Sequence, residues 1–557
     1  MASEFYQDAP RLTNQYVDDP LLGGYLRWRL PAAMLREVEP ALQRLGSLAA
    51  GEWLALDDAA ERNPPRHVPY DAWGRRIDAI ETSDAWRALD RIAAEEGLVA
   101  IGYERAHGER SRIDQFARLY LYAPSSSTYS CPLAMTDGAA RLLELHPDDV
   151  TTPVFRHLTT RDPEQFWTSG QWMTERTGGS DVSTTSTIAV PEGAAYRLFG
   201  TKWFTSATTS QIAITLAIVE DGRSHARALS VFLVMLRDAE GRLRGIRVNR
   251  LKDKLGTRAL PTAELTLDGT PAHLVGGVGN GVRKISALFN VTRVYNAVAA
   301  VAGMRRALAL ASDYATRRVA FGKPLAAHPL HAATLAAMEL EWRAGFHLAF
   351  HVVELLGRQE CGTATPEELA RLRLLIPVAK LYTAKQAVAV ASEALESFGG
   401  AGYIEDTGLP RLLRDAQVLS IWEGTTNVLS LDVLRALERT DALEAYVRDV
   451  RRRLDALRVD ALASVVSRID AALGAIERFA AHAARQGREF AERHARAFAF
   501  ALARTTAALL MAEYATWTVG SPSHPAALGA AISWCERDLA RLDNAHGPVP
   551  SPMLIDG

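Results

Sequence analysis

Three short segments combine glycine with hydroxyl, carboxyl and aromatic groups in ways that packing alone does not require. The most pointed is Ile421-Trp422-Glu423-Gly424-Thr425-Thr426-Asn427, which runs into the amphipathic VLSLDVLRAL. A carboxylate preceded by Ile and Trp, just before a glycine and a helix, is expected to be partly desolvated, which makes it a better base toward a carbon acid. A surface glutamate capping the helix would use the same residues. In Thr174-Glu175-Arg176-Thr177-Gly178-Gly179-Ser180-Asp181, two glycines beside a serine let backbone N–H groups approach a polyanion such as a pyrophosphate, since no side chain shields them. A hairpin turn is the plainer use of that segment. Lys202-Trp203-Phe204-Thr205-Ser206 sets a large flat ring two residues from a hydroxyl on an expected strand, so both can face one side. A core Trp beside an exposed Thr fits as well.

The chain around these segments has 557 residues, 48% hydrophobic and 23% charged, enough to bury large cores and too apolar for a disordered protein. Lys plus Arg total 63 against 65 Asp plus Glu, so no global field points to nucleic acid or an anionic membrane. Seven lysines, none before Lys202, stand against 56 arginines, a bias to which no chemistry is assigned. Cys131, Cys361 and Cys535 are too far apart for a zinc knuckle or a redox CxxC, no metal site is expected, and a reducing cytoplasm is the natural compartment. MASEFYQDAPRLTNQ lacks the basic and apolar segments of a secretory signal, and no run of 18 uncharged apolar residues suggests a membrane partner. There is no GxGxxG after a strand, and GVGNGV lacks the lysine of a Walker loop.

The elements that must position the three segments follow from changes of texture along the chain. Residues 1–160 are rich in Ala, Leu and Arg at helical spacing, interrupted by the turn-forming RNPPRHVPYDAWG, and read as a mainly helical domain. Residues 161–282 hold β-branched and aromatic runs such as IAITLAIV and LSVFLVML, separated by Gly, Asp and Ser, and read as an antiparallel β domain. Residues 283–440 return to long helices; Thr365 suits an N-cap and Pro366 the first turn, while Gly399, Gly400 and Gly402 close the next helix. Residues 441–557 form an appended helical domain, with Val466, Ile469, Leu473 and Ile476 as its apolar stripe. The predicted class is α+β, mainly α, with segregated elements.

Together with Arg318-Val319-Ala320-Phe321-Gly322-Lys323 and Phe398-Gly399-Gly400-Ala401-Gly402-Tyr403, the three segments resemble the acyl-CoA dehydrogenase family of flavoproteins, in order and spacing, over residues 95–440. NPPRHVPYDAWGRR, SCPLAMT at 130–136, LKDKLGTR at 251–258, SIWEGTTNVLSLDVLRAL at 420–437 and the extra C-terminal helices are similar to its AidB-like, alkylation-response branch.

That resemblance implies the fold of the family and FAD held between the β domain and the second helical domain, with a neighbouring subunit of a homotetramer completing the site. Met173 and Thr174 would meet the isoalloxazine, Gly179 and Ser180 the pyrophosphate, and Trp203 and Thr205 the flavin ring. Arg318 and Phe321 would reach the FAD of a partner subunit, the stretch from Glu396 to Gly400 would line the adenosine side, and Thr425 and Asn427 would hold the FAD end near Glu423. Glu396 stands where the family often has an amide, and Pro329 where it has another. Glu423 would take the α proton of an acyl-CoA while the β hydride passes to the flavin, and electrons would leave to a flavoprotein acceptor. Phe289 and Arg293 sit where relatives contact CoA, although an Arg-capped helix face also fits Arg293; Trp422 and Gly424 would border the acyl group.

Two other functions share this scaffold by resemblance. A flavin oxidase would carry Asp as base, and Glu423 counts against it. A DNA-binding protective protein would need a basic C-terminal surface, yet residues 441–557 hold 14 Arg, no Lys and 14 acids, a net charge of 14 − 14 = 0. Arg448, Arg451, Arg452, Arg453 and Arg458 form a local run interleaved with Asp449 and Asp455, read as a solvated face with ion pairs.

Overall fold

A computed structural model describes residues 8–542 apart from 194 and 221–226. The N-terminal part contains Pro20–Arg29 (α1), Ala32–Ala50 (α2), Glu52–Arg62 (α3), a hairpin of Arg66–Tyr70 (β1) and Arg76–Glu81 (β2), then Asp84–Glu95 (α4), Ile101–Glu104 (α5), Ser111–Tyr122 (α6), Ser130–Leu145 (α7) and Thr151–Leu158 (α8). Two of its helices begin where short polar side chains cap them: Asp19 accepts from the Leu22 N–H at 2.9 Å to start α1, and Ser83 caps α4. The turn-forming RNPPRHVPYDAWG does more than interrupt helices. Asp71 accepts the N–H groups of Trp73 and Arg75, both at 2.9 Å, and folds the stretch into the β1–β2 hairpin. Arg76 donates to the Val248 carbonyl at 2.7 Å and Asp78 accepts the Val248 N–H at 3.1 Å, so the hairpin is pinned to the central sheet.

That sheet comprises Ser169–Trp172 (β3), Ile188–Glu192 (β4), Ala195–Ser206 (β5), Ile212–Glu220 (β6), Arg227–Met235 (β7), Ile246–Leu251 (β8) and Thr262–Val275 (β9). Most pairings are antiparallel, but β3 and β4 both run parallel to β6. β7 pairs with both β6 and β9, closing β6, β4, β5, β9 and β7 into a ring. Alternation along β6 decides its two contacts. Ile212, Ile214 and Leu216 pack outward on α7, α8 and the helix that follows the sheet, whereas Ala213, Ala217 and Val219 fill the interior of the sheet.

Three long helices follow: Gly281–Arg317 (α9), Pro329–Glu360 (α10) and Pro366–Ser397 (α11). Thr365 caps α11 in a reciprocal box with Glu368, and Pro366 occupies the first turn, as the sequence suggested. A two-residue hairpin of Val319–Ala320 and Lys323–Pro324 joins α9 to α10. Pro410–Leu419 (α12) and Thr426–Arg439 (α13) frame the segment that carries Glu423. The C-terminal helices are Ala442–Ala456 (α14), Ala463–Gln486 (α15), Arg488–Trp517 (α16) and His524–Cys535 (α17). Helices α9, α11 and α16 are long and apolar enough to cross a membrane, yet two thirds or more of each apolar window is buried within the protein. Ile469, Leu473 and Ile476 on α15 are fully buried.

A buried polar network fixes α9 against its neighbours. Arg112 on α6 donates to Glu360 on α10 at 2.5 Å and to Asp137 on α7 at 2.6 Å, and Tyr295 on α9 donates to the same Asp137 at 2.8 Å. Removing one member of such a set leaves a buried charge unmatched, at a cost of about 3–5 kcal/mol.

Candidate active site

The three chemically suggestive segments converge on the seam between the sheet and α9. Glu423 lies in the short connection from α12 to α13, half-buried. Its carboxylate bridges the seam: Gln171 on β3 donates its amide to Oε1 at 3.1 Å, and Thr292 on α9 donates its hydroxyl to Oε2 at 2.6 Å. The helix cap is a different residue, Thr425, which accepts from the Val428 N–H. Gln171 in turn leads through Met173 into the glycine-rich segment, where the Thr174 carbonyl accepts the Trp203 N–H at 2.9 Å. Two donors across the seam thus aim the carboxylate.

Glu423 adopts a left-handed backbone, with φ of 56°, followed by Gly424 at 99°. For a residue with a Cβ this conformation costs about 1–2 kcal/mol. Two cations grip the connection from below. Lys380 on α11, fully buried, donates to the carbonyls of Trp422 and Gly424 at 2.6 and 2.7 Å. Arg293 donates to the Glu423 carbonyl at 3.3 Å and is itself held by Asp432 at 2.9 Å, which also receives Arg373 at 2.6 Å. Three consecutive carbonyls are therefore occupied, and the carboxylate is left pointing into the seam. Burial, with Arg293 nearby, pulls the Lys380 ammonium down to about 7 against the opposing pull of Glu423. Burial opposes the charge on Asp432, but Arg293 and Arg373 hold it below the usual carboxylate range.

Trp422 donates its indole N–H to Asn296 at 2.5 Å, and Asn296 donates to the Leu419 carbonyl at 3.0 Å, locking the end of α12 to α9. From the sheet side, the loop 252–258 grips this unit. Lys254 donates to the carbonyls of Thr257 and Leu260 at 2.6 and 2.7 Å, and the Thr257 N–H meets Asp415 at 2.6 Å. Only glycine fits at 256, because a Cβ there would lie 2.6 Å from the Arg414 carbonyl.

The glycine-rich segment is built on Glu175. Its carboxylate accepts Lys202 at 2.8 Å, the Thr187 hydroxyl at 2.5 Å and the Ser186 hydroxyl at 2.5 Å. Burial opposes ionisation, but Lys202 and the two hydroxyls hold Glu175 at about 2. This anchor leaves Gly178, Gly179 and Ser180 at the surface; a Cβ at Gly179 would strike the Thr174 hydroxyl at 2.3 Å. Met173 is buried beneath.

A bulge between Lys202 and Thr205 breaks the alternation of β5, so Trp203 and Thr205 do not share a face. Thr205 is fully buried with its hydroxyl donating to the Ala263 carbonyl at 2.8 Å, and it is committed to the sheet. Trp203 stays half-buried with the Lys252 ammonium 3.7 Å over its ring. Arg293 belongs to the scaffold of the Glu423 connection instead of standing free for CoA. Phe289 is partly buried against the core between sheet and helices, one turn before Arg293. Thr425 and Asn427 are exposed at the start of α13, and Glu396 and Gly400 are exposed at the end of α11. Arg318 ends α9, and Phe321, 98% exposed, sits at the tip of the following hairpin. Gln171, Thr292 and Lys380 were not anticipated. Lys380 had a legible signal, a lone cation inside the apolar helical run LLIPVAKLY. No group of three His, Cys, Asp or Glu residues that could hold a metal ion occurs among the described residues.

Comparison with known proteins covers the same span. The families described as "Adaptive response protein AidB N-terminal domain", "Acyl-CoA dehydrogenase, middle domain", "Acyl-CoA dehydrogenase, C-terminal domain" and "Acyl-CoA dehydrogenase 11 C-terminal domain-like" match residues 11–164, 170–270, 279–438 and 441–548. Acyl-CoA dehydrogenase family member 11 of Caenorhabditis elegans is 44% identical over 92% of this chain and 86% of its own. The putative acyl-CoA dehydrogenase AidB of Escherichia coli is 35% identical over 70% of this chain and 72% of its own. The crystal structure of the C. elegans ACDH-11 superposes with a TM-score of 0.94 at 42% identity, covering 97% of this chain and 94% of that one.

Proposed function

Since the chain belongs to the acyl-CoA dehydrogenase family and is an enzyme of that family, we propose that it removes the α proton and β hydride of an acyl-CoA thioester, with Glu423 as the base. The observation that carries this reading is the Glu423 carboxylate held across the seam by Gln171 and Thr292. A carboxylate fixed between two donors, on a backbone gripped at three carbonyls, is preorganised for abstraction of a carbon-bound proton, and such a base contributes about 10²–10⁴ in rate. The C. elegans relative, ACDH-11, has a crystal structure in complex with C11-CoA, which supports an acyl-CoA substrate here.

The residues present fit a flavin dinucleotide. Gly178 and Gly179 add no side chain of their own beside Thr174, and Gln171 Oε1 is buried with no hydrogen-bond partner beside the carboxylate, an acceptor suited to a donor on a bound molecule. Bound FAD would supply a two-electron acceptor for the β hydride. Met173, Thr174, Gly179, Ser180 and Trp203 would seat it from this chain. Phe321, Glu396 and Gly400, at the surface, and Arg318, half-buried at the end of α9, are suited to a neighbouring subunit's cofactor, in keeping with a homotetramer. The Glu423 backbone N–H would steady the thioester oxygen as it gains enolate charge. A flavoprotein acceptor would then remove the electrons. Three unpaired thiols agree with a reducing, cytoplasmic location.

The C-terminal arginine run gives no support to a DNA surface. Arg448 pairs with Glu367 at 3.0 Å, Arg451 with Glu477 at 2.6 Å, Arg452 with Asp449, and Arg453 with Glu513 at 2.5 Å. The test of the enzymatic reading is an anaerobic titration of the purified protein with acyl-CoA thioesters of graded chain length. Bleaching of a yellow flavin band by at least one of them is the expected result, and a colourless protein, or a flavin indifferent to the whole panel, would refute it.

A further inference from the structure

A polar cleft distinct in its lining from the Glu423 connection lies where the C-terminal helices meet the bundle. It has a volume of about 210 Å³, is open to solvent, and is walled by α1, α10, α11, α14 and α16. Five arginines and four carboxylates line it, leaving a residual charge of 5 − 4 = +1.

The floor of the cleft is His351, only 7% exposed, and neither ring nitrogen has a hydrogen-bond partner. Its nearest carboxylate oxygen, on Glu354, is 4.0 Å from Nδ1, beyond hydrogen-bond reach. Beside it Arg371, 6% exposed, is bonded to Asp449 through one terminal nitrogen while its buried Nε lacks a partner. Buried polar atoms without partners are rare and costly, about 1–3 kcal/mol each. The ion pairs of the walls account for the carboxylates and do not reach these nitrogens. Arg452 stands at the mouth with its side chain 74% exposed. The potential inside is positive: after burial, the causes that hold the imidazole neutral are Arg453, Arg371, Arg29 and Arg358.

We propose that this cleft binds a phosphate group, as inorganic phosphate or as the end of a small phosphomonoester. A phosphate is all acceptor on the faces it would turn to these groups. Its oxygens would receive the imidazole N–H of His351, the Nε–H of Arg371 and, at the mouth, the guanidinium of Arg452. The enclosed floor admits such a headgroup and excludes a duplex. Because α10 and α11 supply one wall and α14 the other, the ligand would bridge the bundle and the C-terminal helices, and binding would raise the melting temperature with ligand concentration.

The test uses the full-length protein with its native flavin content in a chloride buffer free of other oxyanions. Inorganic phosphate and glycerol 2-phosphate are titrated separately by calorimetry, with melting temperature followed in parallel. Saturable one-site binding at about 1 mM or tighter is expected for at least one of them, and the preferred probe tells the free ion from the ester. Arg452→Ala should weaken it at least fivefold, and His351→Phe at least tenfold. Arg452 is exposed enough that its loss leaves the fold intact, so the test stands even if the His351 variant does not fold. Absence of saturable binding with both probes, or an affinity unchanged in Arg452→Ala, would overturn the proposal.

Discussion

At the scale of single residues, the behaviour of Glu423 is set by the two donors that face it. Thr292 donates to Oε2 at 2.6 Å and helps fix the direction in which the carboxylate points. Thr292→Val keeps the shape and removes the bond, a change of about 0.5–1.5 kcal/mol. Turnover should therefore fall about two- to tenfold, measured as kcat on the acyl-CoA that bleaches the parent protein. Unchanged turnover would show that the hydroxyl has no hold on the carboxylate. The sequence displayed Glu423 openly, since the IWEGTTN spacing is local. It could not display Thr292 or Gln171, which are 131 and 252 positions away and meet the carboxylate only after the sheet docks on α9.

At the scale of elements, the helices and the sheet hold the connection between α12 and α13 in a strained form. Lys380 is the main cation in that grip, and its loss would leave the carbonyls of Trp422 and Gly424 without their donor. Lys380→Met should retain the flavin while lowering turnover about 10²-fold, the usual consequence of displacing a reacting group by about 1 Å. Lys380→Arg should recover part of the loss, and a Met variant with normal turnover would remove Lys380 from the positioning role.

The glycine-rich segment depends in the same way on Glu175. With its carboxyl at about 2 in the folded chain, against 4.5 for an ordinary glutamate, it contributes stability that is fully present above about pH 4.5 and is lost as pH falls through 2. Glu175→Gln strands the buried Lys202, costing about 3–5 kcal/mol at neutral pH, and removes this part of the acid sensitivity. Melting temperatures across pH 2–7 would show a lower, flatter curve for the variant; curves that run parallel would contradict the assignment. Helix caps, glycine stops and the apolar runs of the strands were all readable locally. The β1–β2 hairpin was missed because its proline-rich stretch reads as a turn and gains its order from Val248 of the sheet. The pairing of Trp203 with Thr205 failed for a related reason: the bulge in β5 is set by its partner β9, and strand periodicity cannot foresee it.

At the scale of the whole molecule, the outermost features of the family pattern remain at the surface of the chain. Phe321 is 98% exposed at a hairpin tip with φ of 50°, a costly place for a large aromatic in a lone subunit. A homotetramer in which this residue reaches a neighbour would cover it. Light scattering should then give about four times the 60.8 kDa chain mass, and Phe321→Asp should lower both that mass and the flavin retained on purification. A monomer that keeps its flavin in the variant would contradict the arrangement. Fold class and domain order were legible from texture alone, whereas the grip of α11 and the C-terminal helices on the rest of the protein was not, because it runs through single buried cations such as Lys380 and Arg371.

The central claim is that the carboxylate of Glu423 removes the proton from the bound thioester. Glu423→Gln preserves the volume of the side chain and abolishes its charge. Mixed anaerobically with an acyl-CoA that bleaches the parent protein, the variant should hold its yellow absorbance without measurable decay over the parent's full time course. Bleaching at the parent rate would contradict the account.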